Sequence, residues 1–373
     1  MLIMKTKTTT FFLRKVTFFT LIFLSLNVIS QEEKPKSTLD KLVSKINLSG
    51  SVDGYYRYNF AAPNDNSVAP QTSFANENGF ALGMANTILG YEGEKVGFVA
   101  DLVFGSRGED AVFNSDDSAQ IINQLYVYWN VTKSVKLTFG NFNTFIGYEV
   151  ISPTGNFNYS TSYMFSYGPF SHTGLKADVA ISKKWSAMFA IMNPSDYTDN
   201  NPFDTYIAGA QIGYTLDNGS AFLNFRYGNE GEPGEVGPTF QVDLTTGWDL
   251  TQDFYLGVNT TYVSTEPQEN GDASGFYGVA LYPQYKTSEK FAIGIRGEYF
   301  SVYNGGLTDV IGLDTQGDGD VITATLTGNY TIGELTLKPE LRIDTTSEDF
   351  FIDNDREATK SLSSFVLGAV YKF

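Results

Sequence analysis

The sequence predicts an all-β chain, a transmembrane antiparallel β-barrel of about sixteen strands, and three observations carry that prediction. Apolar and polar residues alternate with period two from residue 46 to the C-terminus, the connections between alternating segments are short and long in turn, and the three tryptophans stand beside short ones. Period two sends successive side chains to opposite faces of a strand. In the first segment Leu48, Gly50, Val52, Gly54, Tyr56, Tyr58 and Phe60 share one face, and Asn47, Ser49, Ser51, Asp53, Tyr55, Arg57 and Asn59 share the other. Near the end Leu335, Leu337, Pro339, Leu341 and Ile343 stand opposite Glu334, Thr336, Lys338, Glu340, Arg342 and Asp344. A dry core rejects the second set, because a buried charge must be paired or hydrated. A soluble sandwich also alternates, so length decides. The segments run roughly 10 to 13 residues, which exceeds the five or six of soluble strands and suits a tilted membrane strand.

Tight turns are expected near 92–95, 132–134, 182–184, 216–219, 251–253, 287–289 and 333–334. Long polar connections are expected over 61–78, 106–119, 146–171, 194–203, 229–238, 266–274, 302–319 and 347–360. Seven turns and eight loops imply sixteen strands, with short turns at the periplasmic rim, long loops outside, and both termini in the periplasm. Trp129, Trp185 and Trp248 flank short turns on the apolar side, joined by Tyr214, Tyr285 and Tyr330, and also by Phe254 and Phe291. That placement predicts a periplasmic aromatic girdle rather than ordinary core packing. Pro283 and Pro339 fall inside strands, where a missing N–H interrupts an edgeless ladder, so local bulges are expected there.

The N-terminus reads as a signal peptide over residues 1–30: Lys5, Lys7, Arg14 and Lys15 without an acid, an apolar run from Val16 to Ile29, then Ser30. Its removal takes the net charge from −17 to −21. Residues 31–45 follow as a short periplasmic segment. Ser37 and Asp40 are spaced like a capping box, and Leu39, Leu42, Val43 and Ile46 recur at helical spacing, which predicts a short helix before a barrel spanning 46–373. An acidic chain offers no basic face for nucleic acid. The absence of cysteine excludes disulfides and thiolate metal sites, and a single histidine leaves little imidazole chemistry. No cofactor and no metal site is expected.

Three strings carry a family resemblance: Asn123-Gln124-Leu125-Tyr126-Val127, Thr138-Phe139-Gly140-Asn141-Phe142, and Ser171-His172-Thr173-Gly174. They resemble the β-barrel porins of the OmpL-like type. The resemblance implies an integral outer-membrane barrel of a Gram-negative bacterium that passes small polar solutes, and it transfers no site residue. The last strand, 361–373, places Phe365, Leu367, Ala369, Tyr371 and Phe373 on one face, and its terminal Phe373 resembles the signal read by barrel-assembly machinery. Expected partners are therefore outer-membrane lipid and lipopolysaccharide, that assembly machinery and small polar solutes, with room for a homo-oligomer.

The polar face should look into a lumen, since lipid cannot surround Asp53, Arg57, Asp101, Lys176, Asp178, Arg226, Asp243, Arg296, Glu298, Lys338, Glu340 and Arg342. About sixteen strands leave room for an aqueous channel, whereas eight would be filled by side chains. The competing reading is that these charges pair and seal the barrel. The connection 146–171 carries Glu149 as its one charge and holds Phe157, Tyr159, Tyr163, Phe165, Tyr167 and Phe170. It is expected either to fold inward as a constriction or to form an apolar extracellular rim or subunit contact. Acidic loops should enrich cations at the mouth. Asp314, Gln316, Asp318 and Asp320 imperfectly match a calcium loop, and turn formation accounts for them as well. His172 is the sole candidate base, but no facing nucleophile accompanies it, because Ser171 is its chain neighbour and points to the other face. The reading is thus a diffusion porin without catalytic residues. Its rivals are a non-conducting barrel acting as adhesin or assembly component, and a membrane hydrolase.

Overall fold

A computed structural model describes residues 44–268 and 270–373. The signal peptide expected over 1–30 and most of the helix expected over 31–45 lie outside the described residues. Ile46, assigned by spacing to that helix, instead opens the first strand.

Sixteen strands close into one antiparallel barrel. They are β1 (Ile46–Asn59), β2 (Gly79–Glu92), β3 (Val96–Phe104), β4 (Ile122–Asn130), β5 (Val135–Asn143), β6 (Ser171–Ala180), β7 (Trp185–Met192), β8 (Ile207–Leu216), β9 (Gly219–Asn229), β10 (Pro238–Asp249), β11 (Phe254–Thr265), β12 (Ser274–Lys286), β13 (Phe291–Tyr303), β14 (Gly319–Ile332), β15 (Leu335–Thr346) and β18 (Ser361–Lys372). Two-residue strands β16 (Phe351–Ile352) and β17 (Ala358–Thr359) form a small ladder in the last loop. Two short helices, α1 (Ser106–Ala111) and α2 (Tyr163–Ser166), and a 3-10 turn at Asp117–Ile121 lie within connections. Each barrel strand pairs with its sequence neighbours, and β1 closes the ring on β18 with Asp53 opposite Val370. Closure answers the main constraint of a hydrocarbon environment, where every backbone N–H and C=O must find a partner inside the protein. Seven short connections, such as 217–218 and 131–134, alternate with eight long ones, of which 144–170, here L3, is the longest.

Exposure follows the alternation. Along β15, Lys338, Glu340, Arg342 and Asp344 are buried while Pro339, Leu341, Ile343 and Thr345 are exposed. An outer surface that exposes Leu48, Val52, Val127, Phe139, Phe189, Ile191, Ile212, Leu281, Ile295 and Leu341 is the inverse of a soluble protein and suits acyl chains.

The prolines behave differently from expectation. Pro283 and Pro339 sit on the outer face, and no bulge forms at either. The β12–β13 register is the same before and after a gap at Tyr282 and Pro283, and the β14–β15 register is the same before and after a gap at Lys338 and Pro339. On the other side both remain paired, Pro283 with Leu256 and Pro339 with Leu367. Two missing rungs on one side cost less than shifting a strand whose every side chain would change face. The true irregularities lie between Val52 and Gly54 and between Asp101 and Leu102.

Candidate functional site

The barrel interior is where chemistry-bearing side chains converge, and L3 occupies much of it. Most of its backbone bonds run to one half of the wall, and its start, at Phe145 and Gly147, is tied to Gln211 and Asp243 on the other. Glu340 accepts the Tyr159 N–H at 2.8 Å and the Ser160 N–H at 3.2 Å, together with the Ser160 hydroxyl. Glu298 accepts the N–H groups of Tyr163 and Met164 at 3.0 and 2.8 Å, satisfying donors that open α2. Lys338 donates to the carbonyls of Pro153 (2.8 Å) and Asn156 (2.5 Å). Arg342 donates to the Thr161 carbonyl at 2.8 Å while paired with Asp344. Arg296 bridges the Glu149 carboxylate (2.7 Å) and the Ser160 carbonyl (2.6 Å). From β1, Asp53 accepts the Tyr159 hydroxyl.

Strand glycines receive the large side chains of L3. A methyl added at Gly294 would meet the Phe157 ring at 2.6 Å, and one at Gly278 would meet Met164 at 2.8 Å. At Gly368 the Tyr159 ring fills the same space. Only a residue without Cβ leaves such a seat in a strand. An apolar stretch of wall, Phe276, Ala280, Tyr282, Phe300 and Val302, also takes Tyr163 and Met164 into one cluster, so the inner face of β12 departs from the polar lining expected.

Of the twelve charged residues expected to face the lumen, all lie on strands with their neighbours outward, but their exposure splits sharply. Asp53, Arg57, Asp101, Arg226, Asp243, Arg296, Glu298, Lys338, Glu340 and Arg342 are buried. Lys176 and Asp178 remain partly exposed, 3.7 Å apart, with Lys136 3.9 Å from Asp178. Arg57 holds the first loop through the Asn76 carbonyl (3.0 Å) and Asn78 (2.6 Å). Asp101 is held by Asn123 (2.6 Å) and Asn86 (3.0 Å). Arg226 pairs with Glu230 and Ser195, and Asp243 accepts from Gly147 N–H, Asn224 and Asn259.

The aromatic candidates of L3 separate as well. Phe157, Tyr159, Tyr163 and Tyr167 lie against the wall or the first loop, Tyr163 stacked on Phe300 at 5.7 Å and Tyr167 bonded to the Gln71 carbonyl at 2.6 Å. Phe165 and Phe170 line a cavity inside the barrel, a space of about 320 Å³ between L3 and strands β8 to β11. Residues not singled out from sequence bound the rest, among them Phe145, Tyr148, Gln211, Phe222, Thr245 and Tyr255.

Two loop residues brace L3 from outside. Arg107 of α1 reaches the Ile151 carbonyl at 2.8 Å and lies 4.4 Å from the Phe74 ring centre. Asp196, between β7 and β8, accepts the N–H groups of Phe170 (2.6 Å) and Ser171 (2.9 Å); burial pushes its carboxyl up to about 6, against the pull of those two donors. Both sit in polar segments without periodicity, among residues such as Ser106, Glu109 and Asp110 or Ser195, Thr198 and Asp199, so nothing in the sequence marks them. His172 is fully buried between Phe142 and Phe145, with Nε2 3.0 Å from the Thr144 hydroxyl. Asp314 accepts the N–H groups of Gln316 and Asp318, an Asx turn, and Asp318 accepts that of Asn304. Among the described residues no cluster of three acidic or histidine ligands forms.

On the outer surface Trp129, Trp185, Trp248, Tyr214, Tyr285 and Tyr330 sit at strand ends beside short connections. Trp185 and Tyr214 are registered neighbours with rings 4.7 Å apart, and the pairs Phe254–Tyr285 and Phe291–Tyr330 continue the row. At the terminus, Phe373 and Gly50 exchange both backbone hydrogen bonds, 3.0 and 3.1 Å.

The fold is shared with solved outer-membrane proteins. An anion-selective porin from Comamonas acidovorans superposes with a TM-score of 0.60 at 11% identity, covering 88% of this chain and 99% of its own. OprB of Pseudomonas putida gives 0.60 at 13%, covering 89% and 96%, and the outer membrane channel DcaP of Acinetobacter baumannii gives 0.57 at 13%, covering 88% and 97%. No curated protein matches the sequence. The family model described as "Putative beta-barrel porin-2, OmpL-like" matches residues 45–373, every strand of the barrel, and the chain belongs to that family of outer-membrane porins.

Proposed function

We propose that small hydrophilic solutes diffuse passively along the inside of the barrel between L3 and the β8–β11 wall, and that L3 is the constriction setting the size of that path. One observation carries the reading: from Glu149 onward L3 is bonded to β1 and β13–β15, only its start is tied to the opposite wall, at Phe145 and Gly147, and a cavity lies beside it on that side. A loop so held narrows a channel without needing to move. Replacing residues 152–158 by a short Gly-Ser linker is expected to raise single-channel conductance in planar bilayers. Unchanged conductance removes L3 as the constriction, and no conductance in the unaltered protein, with no swelling of loaded liposomes, removes the path.

The aromatic row supports a periplasmic girdle at the lipid boundary. Export by a signal peptide over 1–30, delivery to the assembly machinery through Phe373, and contact with lipopolysaccharide at the long loops complete the proposed life of the chain. One neighbour, OmpT of Vibrio cholerae, is described in a trimer form, and we extend self-association to this barrel as a proposal. The packing of His172 supports a structural role and no catalysis.

A further inference from the structure

We infer that the cavity between L3 and the β8–β11 wall is a binding subsite for neutral, ring-shaped, hydroxyl-bearing solutes, of which a hexopyranose is the simplest probe; the inference rests on the path proposed above. Three features of the cavity point to that chemistry.

The first is charge. Among the residues lining it, Glu149 is the only one carrying a carboxylate, ammonium, guanidinium or imidazole. That carboxylate is already committed, one oxygen to Arg296 at 2.7 Å and the other to the Ser162 N–H at 2.7 Å. A charged solute would shed water here without gaining a counter-charge, which is a large penalty. The acidity of the whole chain does not change this, since surface charges are screened within about 8 Å at physiological salt.

The second is aromatic surface held in place. Phe145 and Phe222 are seated against wall glycines, where a methyl at Gly209 or Gly213 would stand 2.7 or 2.8 Å from the ring. Tyr148 and Tyr255 occupy the space beside Gly257 and Gly247 and join through their hydroxyls at 3.0 Å. Rings fixed in this way offer apolar area at little cost in conformational entropy, and a saccharide ring has an apolar C–H face to lay on them.

The third is the set of neutral polar groups between the rings. Asn143, Thr144, Gln211 and Thr245 bring amides and hydroxyls to the same cavity. Hydroxyls of a ring solute can exchange water for such groups nearly evenly. A cavity of about 320 Å³ falls at the lower end of small-ligand sites, which run from about 300 Å³. Binding in a channel must be weak enough to permit release, so half-saturation in the millimolar range is expected.

The test is current block in planar bilayers by the full barrel. Glucose should reduce the ion current in a saturating manner, glucuronate of the same ring size should not, and Phe222→Ala should raise the half-blocking glucose concentration at least tenfold while Phe222→Tyr restores it. Equal block by glucuronate, or a half-blocking concentration unmoved by Phe222→Ala, overturns the inference. Saturation-transfer NMR on glucose ring protons with the detergent-solubilised barrel reads the subsite without relying on conduction. Transfer without any current would overturn the path and leave the subsite standing. Current with neither block nor transfer would overturn the subsite and leave the path.

Discussion

The two halves of the barrel wall carry inward polar residues of different kinds. On β13, β15 and β1 these are charges, Arg296, Glu298, Lys338, Glu340, Arg342 and Asp53, and all are buried beneath L3. On β8 to β11 amides and hydroxyls predominate, Gln211, Asn224, Gln241, Thr245, Asn259 and Thr261, with Asp243 and Arg226 each enclosed by hydrogen-bond partners. The charged half holds most of L3, whereas the neutral half ties only its start, Gly147 through Asp243 and Phe145 through Gln211, and faces the cavity. Charge on a lumen wall is thus compatible with a lumen that presents little of it to water, because a carboxylate or guanidinium grips several backbone groups at once and an amide grips fewer.

The strongest way to break the contrast is Arg296→Met. It leaves the Glu149 carboxylate enclosed without its counter-charge and frees the Ser160 carbonyl, a loss of about 3–5 kcal/mol. A lower unfolding midpoint in detergent and chymotrypsin cleavage within L3 are expected. The double variant with Glu149→Leu should recover most of the loss, because the unpaired charge is then gone. If the single variant is as stable as the parent, the charged half does not hold the loop.

Next in size is a pH effect at the brace. The Asp196 carboxyl titrates near 6 in the folded protein and near 3.8 in the unfolded chain, so the folded state binds its proton more tightly. Its contribution is fully present below about pH 4 and is lost as pH rises through about 6, roughly 3 kcal/mol in all. Unfolding midpoints should fall between pH 4 and 7, and Asp196→Asn should flatten that part of the profile. A profile identical in the two proteins would place the titrating group elsewhere.

The glycine seats give a smaller effect with an internal control. Gly368→Val should displace the Tyr159 ring at a cost of about 1–3 kcal/mol and loosen L3 to chymotrypsin. Gly297 lies on the outer face of β13, where an added methyl meets nothing within 4 Å, so Gly297→Ala should leave L3 protected. Equal protection in both variants would mean that the seats are incidental.

Sixteen strands, their faces and all fifteen connections were legible because one constraint, lipid outside and protein inside, imprints period two on every strand. That the twelve charged residues share a strand face opposite the apolar one was legible for the same reason. What they touch was not, since alternation names a face and never its occupant: Glu340 reads alike whether it meets water or the backbone of Tyr159 and Ser160. The aromatic richness of L3 was visible, but its division into wall anchors such as Tyr159 and the cavity-facing Phe165 depends on glycines contributed by strands far away in sequence. Arg107 and Asp196 belong to loops, where no period exists to read. Bulges were expected at prolines because a missing N–H is a local signal, whereas the observed ones at Val52/Gly54 and Asp101/Leu102 have no such mark.

Pro339 sharpens the comparison last and least. It stands on the outer face of β15 between Lys338 and Glu340, so it sits directly behind the grip on L3. Rungs to β14 are absent at Lys338 and Pro339 while those to β18 persist. Pro339→Val restores a backbone donor facing β14 and keeps an apolar side chain toward lipid, which should stabilise the barrel by about 1 kcal/mol. If the grip on L3 depends on slack in that stretch of β15, the same change should also alter conductance. A rise in midpoint with conductance unchanged would show that the wall and its loop are held independently, and that the inner face tolerates a repaired ladder behind it.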